Sequence, residues 1–500
     1  MNQRQIGRRR FLARGAGGAA SVLILPSSRL AFGSAANERL NLAVVGVAGY
    51  VAGTAFMPGI HRFENVGIAA LCDVDQRKRA PALELWRRRA ANWPASDNEE
   101  ERRAAALYRR LADDRLPVFE DFRRMLGEMP GEIDAVVVAT PDHTHAIISA
   151  AALRAGKPVM SEKPLTISSH EARALRRYAI DKKVATSVNT QGASSPGFRR
   201  GLEIVREGLL GKVEEVHVFF SRGGQNFQSP PQGQHPVPPE LNWDLWLAQV
   251  AWREYHPAWI NRVGWRDTSI GQLGNFGPHS GNLAFMSLAI KELWDRDPAE
   301  SARSPIRVEA ECSEINRLSY PRWERIRWLV PARGPLPPLS FTWHHGFPPD
   351  APHEYAPGSR ELLTALLRDH GASDLEVERL LTMAGAVLVG SEGLLATNSH
   401  NTDVTLLPKE KFEGVDTRQP ITIPRSPWHP LEWVNACRGG DMPLTNFEYA
   451  GPQHDFLNLG DVATQFAGET LDYDPVAGRI VNHAEADAAL SYEYRQGWTL

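Results

Sequence analysis

Leu40-Asn41-Leu42-Ala43-Val44-Val45-Gly46-Val47-Ala48-Gly49-Tyr50-Val51-Ala52-Gly53 is the stretch that decides how the rest of the chain is read. Its first half is a continuous apolar run of strand length, and its second half is a glycine-rich turn. Continuous apolar strands belong to parallel sheets, because the helices that connect parallel strands cover both faces of the sheet. Val66–Leu71, Ile133–Ala139 and Pro158–Met160 have the same character, and a helical stretch from Ala146 to Ala155 separates the last two. Strands alternating with helices predict an α/β domain, a doubly wound parallel sheet spanning residues 37–188. The charged, helix-prone segment from Leu83 to Arg115 reads as a solvated helical face with no function of its own.

A strand, a glycine turn and an acidic residue ending the next strand together form a dinucleotide site. Backbone N–H groups of the turn face the pyrophosphate, and the carboxylate holds the ribose hydroxyls. Gly46, Val47, Ala48, Gly49, Tyr50 and Val51 make the turn here, and Asp73 stands in Cys72-Asp73-Val74-Asp75 at the end of the second strand. The glycine fingerprint is degraded, since Ala48 and Val51 replace its second and third glycines. A carboxylate at the ribose position repels a 2′-phosphate, so NAD is expected rather than NADP.

Two further segments follow strands at the edge where such sheets bind ligands. Thr140-Pro141 through His143 and His145 is one, and Glu162-Lys163-Pro164 is the other. Thr140, Pro141, His143, His145, Glu162 and Lys163 are therefore cofactor-site candidates. The proline after Lys163 holds that residue extended. A lysine there either hydrogen-bonds a substrate hydroxyl or is a surface residue in a turn.

Near Gln191 the pattern changes. A helix from Phe198 to Glu207, an alternating strand from Val213 to Phe220 and a long region rich in Pro, Trp and Gly predict an α+β second domain over residues 189–500. Gly271-Gln272-Leu273-Gly274-Asn275-Phe276-Gly277-Pro278-His279 begins a segment that continues helically through Leu288. That places His279 near a helix N-terminus with Asn275 one turn earlier. A single histidine in such a place is either structural or a proton-transfer group.

Composition sets the outer bounds. Five hundred residues exceed one ordinary core, and 42% apolar with 23% charged residues is a globular balance. A net charge of −3 gives no electrostatic reason to expect nucleic acid or an anionic membrane as partner. Cys72, Cys312 and Cys437 are too few and too scattered for a disulfide framework or a thiolate metal site, and no metal is expected. Arg8-Arg9-Arg10-Phe11-Leu12, a short apolar run from Ala16 to Leu25 and Gly33-Ser34-Ala35 read as a removable twin-arginine signal over residues 1–36. The plainer alternative is a basic tail. The run is too short for a membrane anchor. The expectation is a periplasmic or other extracytoplasmic protein, exported folded by the twin-arginine machinery.

Taken together, these segments resemble the Gfo/Idh/MocA family of oxidoreductases. The likeness rests on the Gly46 turn, Cys72-Asp73-Val74-Asp75, Ala139-Thr140-Pro141 with His145, Glu162-Lys163-Pro164 and Gly271 through Asn275 to His279. Asn242-Trp243-Asp244-Leu245-Trp246-Leu247, Glu432-Trp433, Tyr449-Ala450-Gly451-Pro452 and Gly497-Trp498 resemble an exported bacterial branch. The resemblance implies a Rossmann-type domain followed by a domain with a large open, mainly antiparallel sheet that serves substrate binding and oligomerisation, as a dimer or tetramer. It puts the family's lysine on Lys163, its histidine on His279 and its aspartate on Asn275, a departure, since an amide cannot stabilise an imidazolium as a carboxylate does. The implied reaction passes hydride from a sugar or polyol carbinol to nicotinamide, with the hydroxyl proton going to His279 assisted by Lys163. Trp243, Trp246 and Trp265, with Gln191 and Arg266, are the expected substrate wall, because aromatic rings stack on sugar faces. Three readings stand side by side: an oxidoreductase on a sugar, polyol or glycoside with tightly held NAD, an NAD-dependent glycosidase, and a non-catalytic sugar-binding relative.

Overall fold

The computed structural model describes residues 39–47, 65–112, 116–346, 355–415 and 420–500. The expected export signal, and Ala48 to Val51 of the glycine turn, lie outside the described residues. Six parallel strands form the first sheet: β1 (Leu40–Val45), β2 (Val66–Cys72), β3 (Val118–Phe119), β4 (Ala135–Val138), β5 (Val159–Ser161) and β6 (Thr186–Val188). Their order is β3-β2-β1-β4-β5-β6, the doubly wound arrangement, and its direction reverses between β1 and β4.

Side-chain alternation explains why these strands read as unbroken apolar runs. Leu42 and Val44 of β1 face one way and pack with Trp86 of α1 (Gln76–Asn92) and Tyr108 of α2 (Glu99–Leu111). Ala43 and Val45 face the other way, toward Ala146 and Ile147 of α4 (His145–Arg154), which follows the short α3 (Phe122–Glu128). Both faces are dry, so neither position tolerates a polar residue. The charged segment is the outer side of the α1/α2 pair, and Arg89 donates to the Tyr108 hydroxyl at 2.7 Å.

The second sheet is mixed, with the order β13-β12-β11-β7-β10-β9-β8-β14-β15. Its strands are β7 (Val213–Phe220), β8 (Ile306–Cys312), β9 (Trp323–Val330), β10 (Leu339–Gly346), β11 (Ala384–Gly390), β12 (Gly393–Asn398), β13 (Val404–Leu407), β14 (Thr470–Asp474) and β15 (Arg479–Ile480). Among the described residues of this sheet, β7 pairs with β10 in parallel, and the other pairs are antiparallel. One face of this sheet is not open along its whole width. Helices Ser359–Asp369 and Asp374–Leu380 bury Leu363, Leu367, Val377 and Leu380 against Phe219, Val387, Leu394 and Ala396.

The domains are bound together by chain that returns to the first sheet. Helix His429–Cys437 packs Trp433 and Val434 among Leu40, Leu42 and Val137. Helix Phe447–Ala463 lies along α5 (Ser169–Lys182), with Gly451 so close that a Cβ there would stand 3.0 Å from the Ala172 carbonyl. This helix is buried from Tyr449 through Ala463, as an element enclosed between two domains must be. Its polar side chains consequently carry partners. Asp455 accepts from the Trp294 indole at 2.8 Å and the Tyr473 hydroxyl at 2.6 Å, and Asn458 donates to Thr166 at 3.0 Å.

Candidate active site

The first part of the site forms where β1 ends. Gly46 has φ +87°, and a Cβ there would lie 2.3 Å from the Ala139 carbonyl oxygen at the end of β4. Only glycine both takes that conformation and leaves that space. Asp73, one residue past β2, accepts from Val47 N–H at 2.9 Å through one carboxylate oxygen and from Asp75 N–H at 3.0 Å through the other. Burial pushes the Asp73 carboxyl above the usual range, and the two amide donors oppose that shift. Each oxygen keeps a lone pair for a further donor, so Asp73 shapes the turn and remains able to take ribose hydroxyls.

A cavity of about 370 Å³ opens beyond these strand ends, lined among others by Gly46, Asp73, Thr140, Pro141, His143 and Trp246. A space a Cβ would fill at Gly46 and a carboxylate at the ribose position suit a dinucleotide, so the residues present fit NAD. His145 and Glu162, expected to share cofactor binding, do not line this cavity. The His145 ring bridges the Pro164 carbonyl at 2.6 Å and the Thr140 carbonyl at 2.8 Å, both ring nitrogens being occupied. Glu162 accepts from the Asn189 amide at 2.5 Å and from Lys163 N–H at 3.1 Å. Both residues hold strand-end loops together. Lys163, expected to share cofactor binding, also stands outside the lining.

The cavity's outer wall comes from distant sequence. Leu241 pairs with Asp75 in an isolated bridge, Gln76 N–H donates to Glu240 O at 2.9 Å, and Asn242 N–H donates to Val74 O at 2.9 Å. The chain before and through α7 (Trp243–Leu247) is thereby strapped across the end of β2. Trp243 stacks on Trp246 with centroids 4.7 Å apart, and the buried His143 ring shares a 2.8 Å hydrogen bond with Trp246 O. Burial pulls the His143 imidazole down to about 4, so the ring is neutral. Trp246 therefore lines this cavity, and Trp243 backs it. Trp265 is buried in a stack with Phe227 at 4.3 Å. Arg266 is held by Asp461 at 2.8 Å and by Thr464 and Asn316. Neither lines the cavity. Gln191 is exposed at the start of the short helical turn Gln191–Ser194.

The second part of the site brings Lys163, Asn275 and His279 together. Helix α8 (Gly271–Ser280) begins at Gly271, whose φ of +58° and whose N–H, donated to Ser269 Oγ at 2.9 Å, turn the chain into the helix. His279 therefore sits in the last turn of α8 and not at its N-terminus, and Gly281 separates α8 from α9 (Asn282–Ser287). Lys163 Nζ donates to both the backbone and side-chain oxygens of Asn275, each at 2.8 Å, and the Asn275 amide nitrogen donates to Gln272 Oε1 at 2.8 Å. Asn275 thus orients Lys163 and not the imidazole, as its place in the motif had implied. Burial, reinforced by Arg262, pulls the Lys163 ammonium down to about 8. His279 is 4% exposed, and its Nδ1 has no hydrogen-bond partner among the described residues. Burial and then the Lys163 charge hold it well below the usual imidazole value.

Two residues escaped the sequence reading. Arg262 lines the cavity, donates to Asp142 at 3.3 Å and to Lys163 O at 3.4 Å, and so stands between the two parts of the site. His400 packs its ring 4.5 Å from that of His279. Neither carries a local motif, because each arrives from a loop closed by the fold.

A glycine turn over a switch point, an acidic residue at the ribose position and a second domain closing the strand ends define a dinucleotide-binding protein. Residues 40–190 match the family described as oxidoreductases with an NAD-binding Rossmann fold, GFO_IDH_MocA. Inositol 2-dehydrogenase of Rhizobium meliloti (strain 1021) is 33% identical over 91 residues, 18% of this chain and 28% of the relative. Levoglucosan dehydrogenase of Pseudarthrobacter phenanthrenivorans is 33% identical over 82 residues, 16% of this chain and 21% of the relative. The chain thus matches less than a third of the length of these curated relatives. The WlbA dehydrogenase of Bordetella pertussis, solved with NADH and UDP-GlcNAcA, shares the fold with a TM-score of 0.52 at 14% identity, covering 87% of this chain and 98% of that one.

Proposed function

We propose that the protein is an NAD(H)-dependent oxidoreductase acting on the CH–OH group of a sugar, polyol or glycoside. The observation that carries this reading is Lys163, held by a neutral partner beside His279 at the ligand-binding edge of an NAD-binding domain. Gly46 and Val47 would hold the pyrophosphate side of NAD, Asp73 the ribose, and Thr140, Pro141 and His143 the continuation of the cleft. NAD, when bound, supplies the acceptor for the hydrogen and electron pair that leave the carbinol carbon. Lys163, as the free amine, takes the hydroxyl proton while the carbonyl forms, and His279, as a neutral imidazole, hydrogen-bonds the same oxygen. The sequence of relatives supports the substrate class: inositol and levoglucosan dehydrogenases are among those the chain matches.

The strap through Trp246 favours a cofactor retained between turnovers, and hence a redox-neutral cycle in which a second carbonyl compound is reduced in place. Such retention suits export through the twin-arginine route and residence outside the cytoplasm, which the Arg8-Arg9-Arg10-Phe11-Leu12 segment motivates. The uncovered strands β8 and β9 remain the surface for a homo-oligomer. The test is to denature purified protein, assay the supernatant for nicotinamide dinucleotide, and then follow reduction of retained cofactor with myo-inositol, levoglucosan and aldoses. Absence of released dinucleotide, with no binding of added NAD, would remove the proposal. Cleavage of chromogenic glycosides would redirect it to transient oxidation during glycoside hydrolysis.

A further inference from the structure

His400 stands in the turn between β12 and β13, far in sequence from every motif that identified the site. Its ring packs against His279 with centroids 4.5 Å apart and lies edge-on to Phe276 at 5.8 Å. Ser399 Oγ occupies its Nδ1 at 2.9 Å, whereas Nε2 carries no hydrogen bond among the described residues. The ring is half-buried while His279 beneath it is buried, so His400 is the more open member of the pair.

The turn that presents it is fastened from three sides. Asn401 is fully buried with φ +53°. Its side chain donates to Ser280 O at 3.0 Å and Thr397 Oγ1 at 2.8 Å, and accepts from Leu283 N–H at 3.1 Å. Ser280 Oγ donates to Ser399 O at 2.8 Å. From the segment around α6 (Pro196–Arg206), Gly192 and Gly197 let the backbone approach so closely that Cβ atoms would stand 1.9 Å from His400 O and 2.0 Å from Thr402 O. A left-handed asparagine, two glycine approaches and a ladder of side-chain bonds fix the backbone of this turn, from which the His400 ring packs on His279.

We propose that His400 is a catalytic-site residue that touches substrate, its Nε2 hydrogen-bonding a hydroxyl neighbouring the carbinol handled by Lys163 and His279. The inference rests on the oxidoreductase reading above and adds to it a polyhydroxylated substrate read from the sheet side of the cleft.

The test measures binding of myo-inositol, levoglucosan and glucose to the cofactor-loaded protein by calorimetry, and KM and kcat for those that react, in the wild type, His400→Phe and His400→Asn. The phenyl ring keeps the packing on His279, and the amide keeps a hydrogen-bonding group. His400→Phe is expected to weaken binding and raise KM about tenfold or more, the loss of a hydrogen bond to a neutral buried group. His400→Asn is expected to recover part of it, with retained dinucleotide unchanged in both. Asn401→Ala, which releases the turn but keeps the imidazole, is expected to raise KM less than His400→Phe. Binding and KM within twofold of wild type in His400→Phe would overturn the inference and leave the oxidoreductase reading standing. Failure of the wild type to bind or oxidise any of the three sugars overturns both.

Discussion

Lys163 Nζ lies 2.8 Å from Asn275 Oδ1 and 2.8 Å from the same residue's backbone oxygen, and among the described residues no carboxylate contacts the ammonium. The groups facing it are Asn275, Phe276 and His279 of α8, Arg262 of the loop between α7 and α8, Glu162 and Asp142 of the strand-end loops, and His400 of the β12–β13 turn. Burial and Arg262 lower its value to about 8, while Glu162 and Asp142 oppose them. The free amine, the form that accepts a proton, therefore increases as pH rises through about 8, and the oxidation rate should rise with it. Asn275→Asp places a negative charge against the ammonium and raises its value by about 1–3 units. The expected outcome is a kcat/KM profile whose rising limb moves alkaline by at least about one unit, with oxidation at neutral pH reduced about tenfold. An unmoved limb would take the titration away from Lys163.

Replacing Lys163 itself separates chemistry from binding. Its side chain turns to Asn275 and does not line the dinucleotide cavity. Lys163→Met should lower kcat about 10²–10⁴-fold, the usual contribution of a positioned acid–base group. Dinucleotide released on denaturation should match the wild type. Turnover close to wild type in this variant would exclude the lysine from proton transfer.

How much of this was readable beforehand depends on whether the signal was local. Leu40 to Gly46 announced itself because a strand buried on both faces must be apolar at every position, and Asp73 followed from the same unit. Asn275 and Lys163 were recognisable as motif residues, yet their partnership was not. Asn275 was expected to serve His279, and only the close approach of α8 to the Glu162-Lys163-Pro164 loop showed that it serves the lysine. The helix start was misplaced because Gly271, which reads as a breaker, uses its positive φ to open the helix and leaves His279 at the far end. The place of the tryptophans depends on long-range pairing. Trp243 and Trp246 lie near His279 in sequence, but pairing of Leu241 with Asp75 carries them back to the end of β2. His400 has no sequence signature, since its location depends on packing among three segments separated by long stretches of chain.

Gly46 tests the cofactor site without touching the catalytic cluster. Gly46→Ala puts a methyl group 2.3 Å from the Ala139 carbonyl at φ +87°, a strain on the order of 1–3 kcal/mol before any clash is relieved. Displacing Ala139 moves Thr140 and Pro141, which line the cavity. The variant should fold, judged by far-ultraviolet circular dichroism, with a lowered melting temperature and without retained dinucleotide. Full retention would mean that the turn tolerates a side chain and does not approach the cofactor.

Asp73 reports on cofactor choice. Asp73→Ser removes the charge that disfavours a 2′-phosphate and keeps a short acceptor for the Val47 and Asp75 amides. Affinity for NADH should fall about tenfold and that for NADPH should rise, both read by fluorescence titration of cofactor-stripped protein. A preference for NADH unchanged in the variant would mean that discrimination lies elsewhere in the cavity.

Retention of the cofactor is tested at the C-terminal tail, which closes the strap from outside. Arg495 donates to Ala248 O at 3.0 and 2.8 Å, to Asp244 O at 2.8 Å and to its carboxylate at 2.5 Å. These bonds hold the end of α7, where Ala248 has φ +52°, and Trp498 of the same tail lines the cavity beside Phe122. Both parallel-sheet core and catalytic cluster lie away from these contacts, so Arg495→Ala should leave the fold and the Lys163–Asn275 pair intact while letting the Trp246 wall open. Dissociation of NADH, followed by loss of its fluorescence on dilution into excess unlabelled NAD, should speed up about tenfold or more, because loop opening and not chemistry then governs release. With added NAD in excess, kcat for a dehydrogenase cycle should be preserved or raised, whereas a redox-neutral cycle without added NAD should decay as the cofactor is lost. An unchanged dissociation rate would show that the strap covers the cavity without gating it.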